Sequence, residues 1–258
     1  MTYKSEIISL LSVCFGMTGA ESGIMFDDAA ENGRSYIRFC GDKPVTVAFS
    51  KPLSLRFDGA ESAGVYIFGL CTAPEHRGKG FAKDVISEIC AISDSDFTLL
   101  IPETPELFGF YETLGFVRGG VAAKFTATAS GSERVSIISD PAAAYRAYKD
   151  SAMKCGNLCL LSETDLAASL KLSPQICVAG ESGVCFVGAD GCEAFAPREC
   201  VEGLASSALA LCGIAGSAVT VPAPLAPDGA EKFDIGMIKP LRGCRPPELF
   251  YINNLFNR

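Results

Sequence analysis

The 258-residue sequence is poor in the side chains from which most protein metal sites are built. His76 is its only histidine, and none of its twelve cysteines stands in C-x-x-C spacing with another. Cys155 and Cys159 have helical i, i+4 spacing, but a structural zinc site needs four such ligands. No metal is therefore expected. The cysteines lie within apolar runs, and we interpret them as reduced, buried small hydrophobic residues.

Long apolar runs and an excess of positive charge are also missing. No stretch approaches the roughly 18 apolar residues of a membrane-spanning helix. The opening MTYKSEIISLLSVCFG carries Lys4 and Glu6 and predicts a short helix rather than a signal peptide. The formal net charge of −8 disfavours nucleic acid as a partner, since phosphate binding needs a basic face. We expect a cytoplasmic protein without membrane or nucleic-acid partners.

What the chain does have is the composition of a packed globular protein, with 48% hydrophobic and 20% charged residues. In the first half the pattern predicts an alternation of elements: a helix at 4–15, polar turns, strands at 35–40, 45–50, 65–72 and 97–101, a helix after residue 80 and a helix at 105–116. GDKP between the first two strands is a hairpin signal, and Gly69 inside the third strand predicts a bulge.

The small, polar run TATASGSERV at 126–135 marks a predicted boundary. The second half is predicted to carry two helices and three extended segments: helices near 141–151 and 199–211, the strand-like runs ICVAG and VCFVG, and FDIGMIKPL at 233–241. We therefore expect an α/β protein with a mixed (α+β) sheet, divided into domains 1–128 and 134–258.

The glycine-rich turn in HRGKGFAKDV, residues 76–85, lies between a buried strand and a helix. A helix start presents backbone N–H groups without partners and roughly half a positive charge. Gly78 and Gly80 leave this backbone open, and Arg77 and Lys79 add positive charge. The pattern favours a cradle for phosphate, most simply a pyrophosphate, with an ordinary basic helix cap as the alternative. The spacing fits neither G-x-x-x-x-G-K-[ST] nor G-x-G-x-x-G.

This turn resembles motif A of the GNAT acetyltransferases, [QR]-x-x-G-x-[GA], with Arg77, Gly80 and Ala82 at the motif positions. FYETLGF at 110–116 is similar to a second signature of that superfamily, in the expected order and context. The resemblance covers roughly residues 1–125. It implies a GNAT-like acyltransferase fold with acetyl-CoA as co-substrate and a small primary amine as acceptor. The acidic net charge weakly favours a cationic amine.

The resemblance also implies which residues form the site. Backbone amides of the turn would bind the CoA pyrophosphate, and the pantetheine arm would pair with the preceding strand. The implied CoA-binding residues are Leu70, Cys71, Thr72, Arg77, Gly78, Lys79, Gly80, Phe81 and Ala82. A backbone N–H near Cys71 or Thr72 would polarise the thioester carbonyl. Tyr111 falls on the family's tyrosine and would protonate the CoA thiolate after direct attack by the amine. The alternative for Tyr111 is a core aromatic residue.

Three questions stay open at the level of sequence. The 65–72 strand carries no carboxylate, which departs from many family members that use such a carboxylate or a water chain as general base. The candidate residues are Glu103, more simply explained as a solvated loop acid, and His76. The second half has no second cradle, although FDIGMIKPL is similar to the last core strand of GNAT domains. The chain thereby resembles predicted acetyltransferases with a degenerate second GNAT-like domain, which implies that the second half either walls the acceptor pocket or serves as a structural or homodimerisation module. The alternative function is a non-catalytic acyl-CoA-binding sensor or interaction protein.

Overall fold

The computed structural model describes residues 3–57, 59–245 and 250–252, which form seven α-helices and thirteen β-strands. The helices are α1 (Lys4–Phe15), α2 (Gly19–Asn32), α3 (Phe81–Ile92), α4 (Leu107–Glu112), α5 (Pro141–Ala152), α6 (Glu163–Leu172) and α7 (Val201–Leu211). The strands are β1 (Arg34–Cys40), β2 (Lys43–Phe57), β3 (Ala60–Thr72), β4 (Phe97–Leu100), β5 (Val117–Thr128), β6 (Val135–Ile138), β7 (Leu158–Leu160), β8 (Ile176–Gly180), β9 (Val184–Gly188), β10 (Gly191–Phe195), β11 (Gly216–Pro222), β12 (Glu231–Pro240) and β13 (Tyr251–Ile252).

The chain divides into two compact units, and neither is continuous in sequence. The first unit comprises Met1–Leu53, Ser62–Val117 and Met237–Pro246. The second unit comprises Ser54–Glu61, Arg118–Gly236 and Pro247–Arg258. Strands β2, β3, β5 and β12 therefore supply residues to both units.

The sheet of the first unit has the strand order β1-β2-β3-β4-β12. β1 and β2 form the predicted antiparallel hairpin, in which Arg34 lies opposite Ser50 and Cys40 opposite Lys43. β3 and β4 are parallel and are joined through α3, which confirms the predicted strand–turn–helix–strand crossover. The end of β12, from Met237, runs antiparallel to β4.

Alternation along the strands gives the first unit a core on each face of its sheet. Val47 and Phe49 of β2 belong to a cluster with α1 and α2, while Ala48 between them belongs to a cluster with α3 and α4. The first cluster includes Ile7, Leu10, Leu11, Phe26 and Ala29, and the second includes Val85, Ile86, Ile89, Phe108 and Phe116.

Helix α2 was missed at the level of sequence, where polar turns were expected after residue 15. Its start carries a capping box, in which the Glu21 backbone N–H donates to the Thr18 hydroxyl at 3.2 Å and the Glu21 carboxylate accepts from the Thr18 backbone N–H at 2.7 Å. These bonds satisfy N–H groups that a helix start otherwise leaves unpaired. The capping-box pattern of Thr18 and Glu21 could have predicted this helix from the sequence. The apolar periodicity could not, because the helix contains too many polar residues.

Gly69 marks a shift in side-chain alternation along β3, as a bulge requires. Phe68 packs in the cluster with α1 and α2, yet Leu70 packs in the cluster with α3 and Cys71 returns to that with α1 and α2. Gly69 has φ of 57°, in the left-handed region. A Cβ atom there would lie 2.8 Å from Cδ2 of Phe49. Both the dihedral angle and the close approach therefore require glycine.

The second unit contains a second sheet region, ordered β12-β5-β11-β10-β9-β8-β6. β10 and β11 are parallel, and the other pairs recorded along this path, β11–β5, β10–β9, β8–β9 and β6–β8, are antiparallel. Helix α7 packs on it through a core rich in alanine and cysteine. The predicted helices near 141–151 and 199–211 correspond to α5 and α7. Helix α6 and six strands were not predicted: β5, β6, β7, β10, β11 and β13. Strand β5 extends into the polar run that begins at residue 126.

Within the described residues, no single helix is long and apolar enough to cross a membrane. Helices α1 and α2 satisfy that test only when they are taken together, and they meet at a bend of 117°.

The capping box of α2 gives a stability prediction. Thr18→Ala removes the hydroxyl that accepts from the Glu21 N–H, and we expect it to lower the free energy of unfolding by about 1 kcal/mol in urea titrations. Thr18→Ser keeps the acceptor and should stay close to wild type. Equal losses in both variants would contradict this role of the hydroxyl.

Candidate functional site

The candidate site lies in the first unit, where β3 extends further than its parallel neighbour. β4 pairs with β3 from Gly64 to Ile67, and β4 ends at Leu100 opposite Ile67. β3 continues to Thr72, five residues past that last pair. On its other side the chain stays attached to β2, because the Ala73 N–H donates to the Val45 carbonyl at 2.8 Å. Among the described residues, β4 does not pair with this segment beyond Ile67, so its β4-facing edge can accept an added strand-like ligand.

Directly after β3 the chain makes a 3₁₀ turn (Pro74–His76) and then the glycine turn, which we define as residues 77–80. Gly78 and Gly80 have φ of 75° and 88°, in the left-handed region. Gly80 is the residue before α3, and no side chain caps that helix start. The first-turn N–H groups of α3 are thus not satisfied by a capping side chain, which is the arrangement that binds anions.

The space beside the glycine turn is open. Neither Gly78 nor Gly80 would bring an added Cβ atom within 4 Å of another heavy atom beyond its chain neighbours. The turn and its flanks carry the cations Arg77, Lys79 and Lys83, all exposed, although Asp84 also lies in the first turn of α3. The Lys79 ammonium lies 3.4 Å from Nδ1 of His76. A ligand phosphate can approach this backbone without displacing a side chain.

The structure places all of the predicted CoA-binding residues along this one path: Leu70, Cys71 and Thr72 at the end of β3, Arg77, Gly78, Lys79 and Gly80 in the glycine turn, and Phe81 and Ala82 at the start of α3. The side chains of Arg77 and Cys71 link this path to the rest of the unit. The Arg77 guanidinium Nε donates to the Thr72 carbonyl at 3.1 Å, which ties the glycine turn to the strand end. The Cys71 side chain is buried against α1 and α2.

Tyr111 lies on α4, and its ring is only 7% exposed. It packs edge-on against Phe116 at 5.9 Å and against Phe110 at 5.1 Å, within the cluster that includes α3. Burial, with a smaller contribution from the negative charge of Glu103, raises the pKa of Tyr111 to about 12. The phenol is therefore protonated at neutral pH and can act as a hydrogen-bond or proton donor. Its packing also fits the core role that the sequence left open.

The two candidate bases differ from Tyr111 in exposure. Glu103 is an exposed residue in the loop after β4, as expected for a solvated acid. His76 ends the 3₁₀ turn in a half-buried position, with its ring centroid 6.3 Å from that of Phe81. Neither residue is held in a buried, oriented position of the kind that tunes a base.

A buried carboxylate does lie on the α1/α2 face of the sheet, and the sequence did not indicate it. Asp28 of α2 pairs with Lys51 of β2 at 3.2 Å, and both side chains are 9% exposed. The Lys51 ammonium lies 5.1 Å from the centre of the Phe68 ring, next to Gly69. Because Lys51 already neutralises it, Asp28 is not an available anionic site for a cationic ligand.

Cys14, like Asp28, is a residue that the sequence analysis did not identify. It lies in the last turn of α1 and is half-buried, and its thiol lies 3.6 Å from the Thr72 carbonyl oxygen, which also accepts from Arg77. A hydrogen bond from the Cys71 thiol and the neighbouring Arg77 guanidinium lower the pKa of Cys14 to about 6, against the opposing effects of partial burial and of Glu75. A larger fraction of Cys14 is therefore thiolate at neutral pH than of an ordinary cysteine.

All twelve cysteines are free thiols. The expectation that they are buried hydrophobic residues holds for half of them: Cys71, Cys155, Cys159, Cys177, Cys185 and Cys192. It is wrong for Cys40, which is exposed on the edge strand β1, and Cys14 is only half-buried. Solvent exposure of a single residue on an edge strand cannot be read from its apolar neighbours.

Comparison with known proteins gives one match at the level of sequence. The family model of the acetyltransferase (GNAT) domain matches residues 2–119, a segment that includes β3, the glycine turn, α3 and Tyr111. No curated protein sequence matches this chain.

Solved structures resemble nearly the whole chain at low sequence identity. A conserved protein of unknown function from Enterococcus faecalis V583 is 15% identical and has a TM-score of 0.71, over 93% of this chain and 70% of its own. A GCN5-related N-acetyltransferase from Kribbella flavida is 20% identical with a TM-score of 0.70, over 93% and 70%. One from Anabaena variabilis is 15% identical with a TM-score of 0.68, over 95% and 72%. These likenesses confirm the mixed α/β fold.

The environment of Cys14 predicts an unusual pH profile for its alkylation. We expect iodoacetamide to label Cys14 with a rate midpoint near pH 6, well below the value of about 8.5 of an ordinary thiol. Arg77→Gln removes the adjacent cation and should move the midpoint upward. The rate is measured by mass spectrometry of the peptide that contains Cys14. A midpoint near that of free glutathione in the wild type would contradict the assignment.

Proposed function

We propose that this chain, which carries an acetyltransferase (GNAT) domain over residues 2–119, is an acyltransferase that transfers the acetyl group of acetyl-CoA to a small primary amine. One observation carries this proposal. The open strand edge at Leu70–Thr72 is followed closely by an uncapped helix start at residues 77–82.

The pyrophosphate of CoA is proposed to bind the glycine turn and the start of α3. Several backbone N–H groups converge there with the positive end of the helix dipole, and two glycines leave the approach open. Lys79 adds a positive charge within reach of a phosphate. Arg77 contributes less through its charge, because its guanidinium is engaged with the Thr72 carbonyl.

The pantetheine arm is proposed to lie along the open edge of β3 and to exchange hydrogen bonds with its backbone, as an added strand does. The bulge at Gly69 changes the direction of the backbone groups that follow it. A backbone N–H of Cys71 or Thr72 then polarises the thioester carbonyl and stabilises the oxyanion that forms on attack.

In the proposed reaction the neutral amine nitrogen attacks the thioester carbon, the carbon–sulfur bond breaks, and an amide and a CoA thiolate form. Tyr111 donates its phenolic proton to the departing sulfur. The proton that the amine loses then replaces the one that Tyr111 donated. With a pKa of about 12, the phenol is a weaker acid than a thiol with a pKa of about 8.5. Its hydrogen bond therefore stabilises the sulfur before the proton moves.

A cationic amine is the proposed acceptor class, since the chain has a net charge of −8 and this attracts cations over distance. That attraction acts on the rate of encounter and does not select among amines. Asp28 is not proposed as its anchor, because it is already paired with Lys51.

The second half is proposed to be a degenerate GNAT-like domain over residues 134–258, following a catalytic domain over 1–128. Support comes from the sheet region around β8, β9 and β10, which α7 covers, and from the single occurrence of the glycine turn in the sequence. Each compact unit is discontinuous in sequence, because strands at the boundary supply residues to both units.

The role of Tyr111 is tested by Tyr111→Phe. Removing only the hydroxyl should lower kcat by about 100-fold, as expected for a lost proton donor, and leave the Kd for acetyl-CoA unchanged. Turnover is measured as free thiol released from acetyl-CoA across a panel of polyamines, aminoglycosides and lysine derivatives, with product masses to locate the acetyl group.

Tyr145→Phe on α5 is the matched control, because it removes the same atom elsewhere in the chain and should leave kcat unchanged. Full activity in Tyr111→Phe would limit that residue to the core. Binding of acetyl-CoA without turnover on any amine would instead point to an acyl-CoA-binding module.

A further inference from the structure

We propose that Cys14 and Cys71 form a thiol pair that hydrogen peroxide converts to a disulfide, with Cys14 as the attacking sulfur and Cys71 as the resolving one. The pair joins the end of α1 to the end of β3. Its predicted effect on acetyl-CoA binding rests on the function proposed above, whereas its formation does not.

The two side chains are neighbours in space, although 57 positions separate the residues in the sequence. Cys71 belongs to the apolar cluster with α1 and α2, and Cys14 packs against that cluster. The Cys14 thiol lies 3.6 Å from the carbonyl oxygen of Thr72, the neighbour of Cys71. The end of α1 is therefore held against the strand segment that carries Cys71.

The surroundings assign different roles to the two thiols. Cys14 is half-buried, so peroxide can reach it, and the Arg77 guanidinium beside it stabilises the thiolate that attacks peroxide. Cys71 is only 7% exposed, and the adjacent Cys14 sulfur together with burial raises its pKa, so it stays a thiol. A low-pKa, accessible cysteine next to a resolving cysteine is the arrangement of redox-responsive pairs.

Other cysteines lack one of the two features that this pair combines. Cys185 and Cys192 pack in one cluster, on neighbouring strands β9 and β10, but both are at most 1% exposed. Cys40 is exposed, but it lies on the edge strand β1. Cys14 and Cys71 combine neighbouring positions in one cluster with access for a small oxidant.

The chemistry balances with peroxide as the two-electron oxidant. The Cys14 thiolate attacks one peroxide oxygen, the O–O bond breaks, and after protonation the products are Cys14 sulfenic acid and water. The Cys71 sulfur then attacks the Cys14 sulfur and displaces its hydroxyl group as a second water, with the Cys71 proton. The protein loses two hydrogen atoms overall, and a dithiol restores both thiols.

The disulfide would act on the candidate site through its position. Cys71 lies between Leu70 and Thr72, on the strand segment proposed to hold the pantetheine arm. A disulfide bond to α1 would hold that segment in a new geometry. Arg77 would then no longer lie beside a Cys14 thiolate. We expect oxidation to weaken acetyl-CoA binding by at least tenfold and reduction to restore it.

The test begins with the reduced full-length protein, freed of reductant and treated with hydrogen peroxide. Remaining thiols are then alkylated, and the protein is digested with trypsin. Cys14 and Cys71 each fall alone in their tryptic peptides, 5–34 and 57–77, so a linked species is unambiguous. We expect these two peptides linked with a loss of two hydrogen atoms, in a form that dithiothreitol reverses.

Three variants sharpen the result. Cys14→Ser should yield neither the link nor a sulfenic acid on the 57–77 peptide, and Cys40→Ser should behave as wild type. Cys71→Ser removes the resolving sulfur and should trap Cys14 as a sulfenic acid, detected as a dimedone adduct. This adduct provides a second readout that does not require the disulfide itself.

Several results would overturn the proposal: no linked peptide in the wild type, a dimedone adduct on the 57–77 peptide in Cys14→Ser, or no dimedone adduct on Cys14 in Cys71→Ser. Acetyl-CoA affinity is measured separately, as the ratio of oxidised to reduced Kd for each protein. If the reduced wild type binds no acetyl-CoA, the proposed function fails while the peptide data still decide the thiol pair.

Discussion

The candidate site depends on a mismatch in strand length within the first unit. β4 ends opposite Ile67, and β3 continues to Thr72 before the chain turns into α3. Backbone N–H and C=O groups need partners, and here a strand edge and a helix start present them side by side without a covering side chain. Gly69, Gly78 and Gly80 make this geometry possible, since all three have φ values in the left-handed region.

The Thr72 carbonyl connects this open backbone to the rest of the unit. It accepts from the Arg77 guanidinium and lies within reach of the Cys14 thiol, so that the strand end, the glycine turn and the end of α1 meet at one atom. Arg77, which the motif resemblance marks for CoA binding, also holds the glycine turn against β3 and contributes to lowering the pKa of Cys14 on α1. The proposed CoA site and the proposed thiol pair are therefore neighbours.

Local sequence patterns predicted the elements that build the site. The features that they did not predict arise from contacts between residues far apart in the sequence. The buried run at 65–72, the glycines that follow it and the helical spacing after residue 80 each reflect local physics, and the motif resemblance named the same residues. Cys14 could not be singled out, because its properties come from Cys71 and Arg77, far along the chain. The Asp28–Lys51 pair and the discontinuous units arise in the same way, from tertiary contacts that leave no periodic signal.

Calorimetric titration with acetyl-CoA tests the central claim most directly, using Gly80→Glu and Gly80→Gln as a matched pair. Both variants pay the left-handed backbone cost of roughly 1–2 kcal/mol, and their side chains have nearly the same size. Only glutamate adds a negative charge to the cradle. The account predicts micromolar binding in the wild type and a much larger loss for glutamate than for glutamine, with the gap narrowing as salt is raised. No binding in the wild type, or equal losses in the two variants, would contradict a pyrophosphate site at the start of α3.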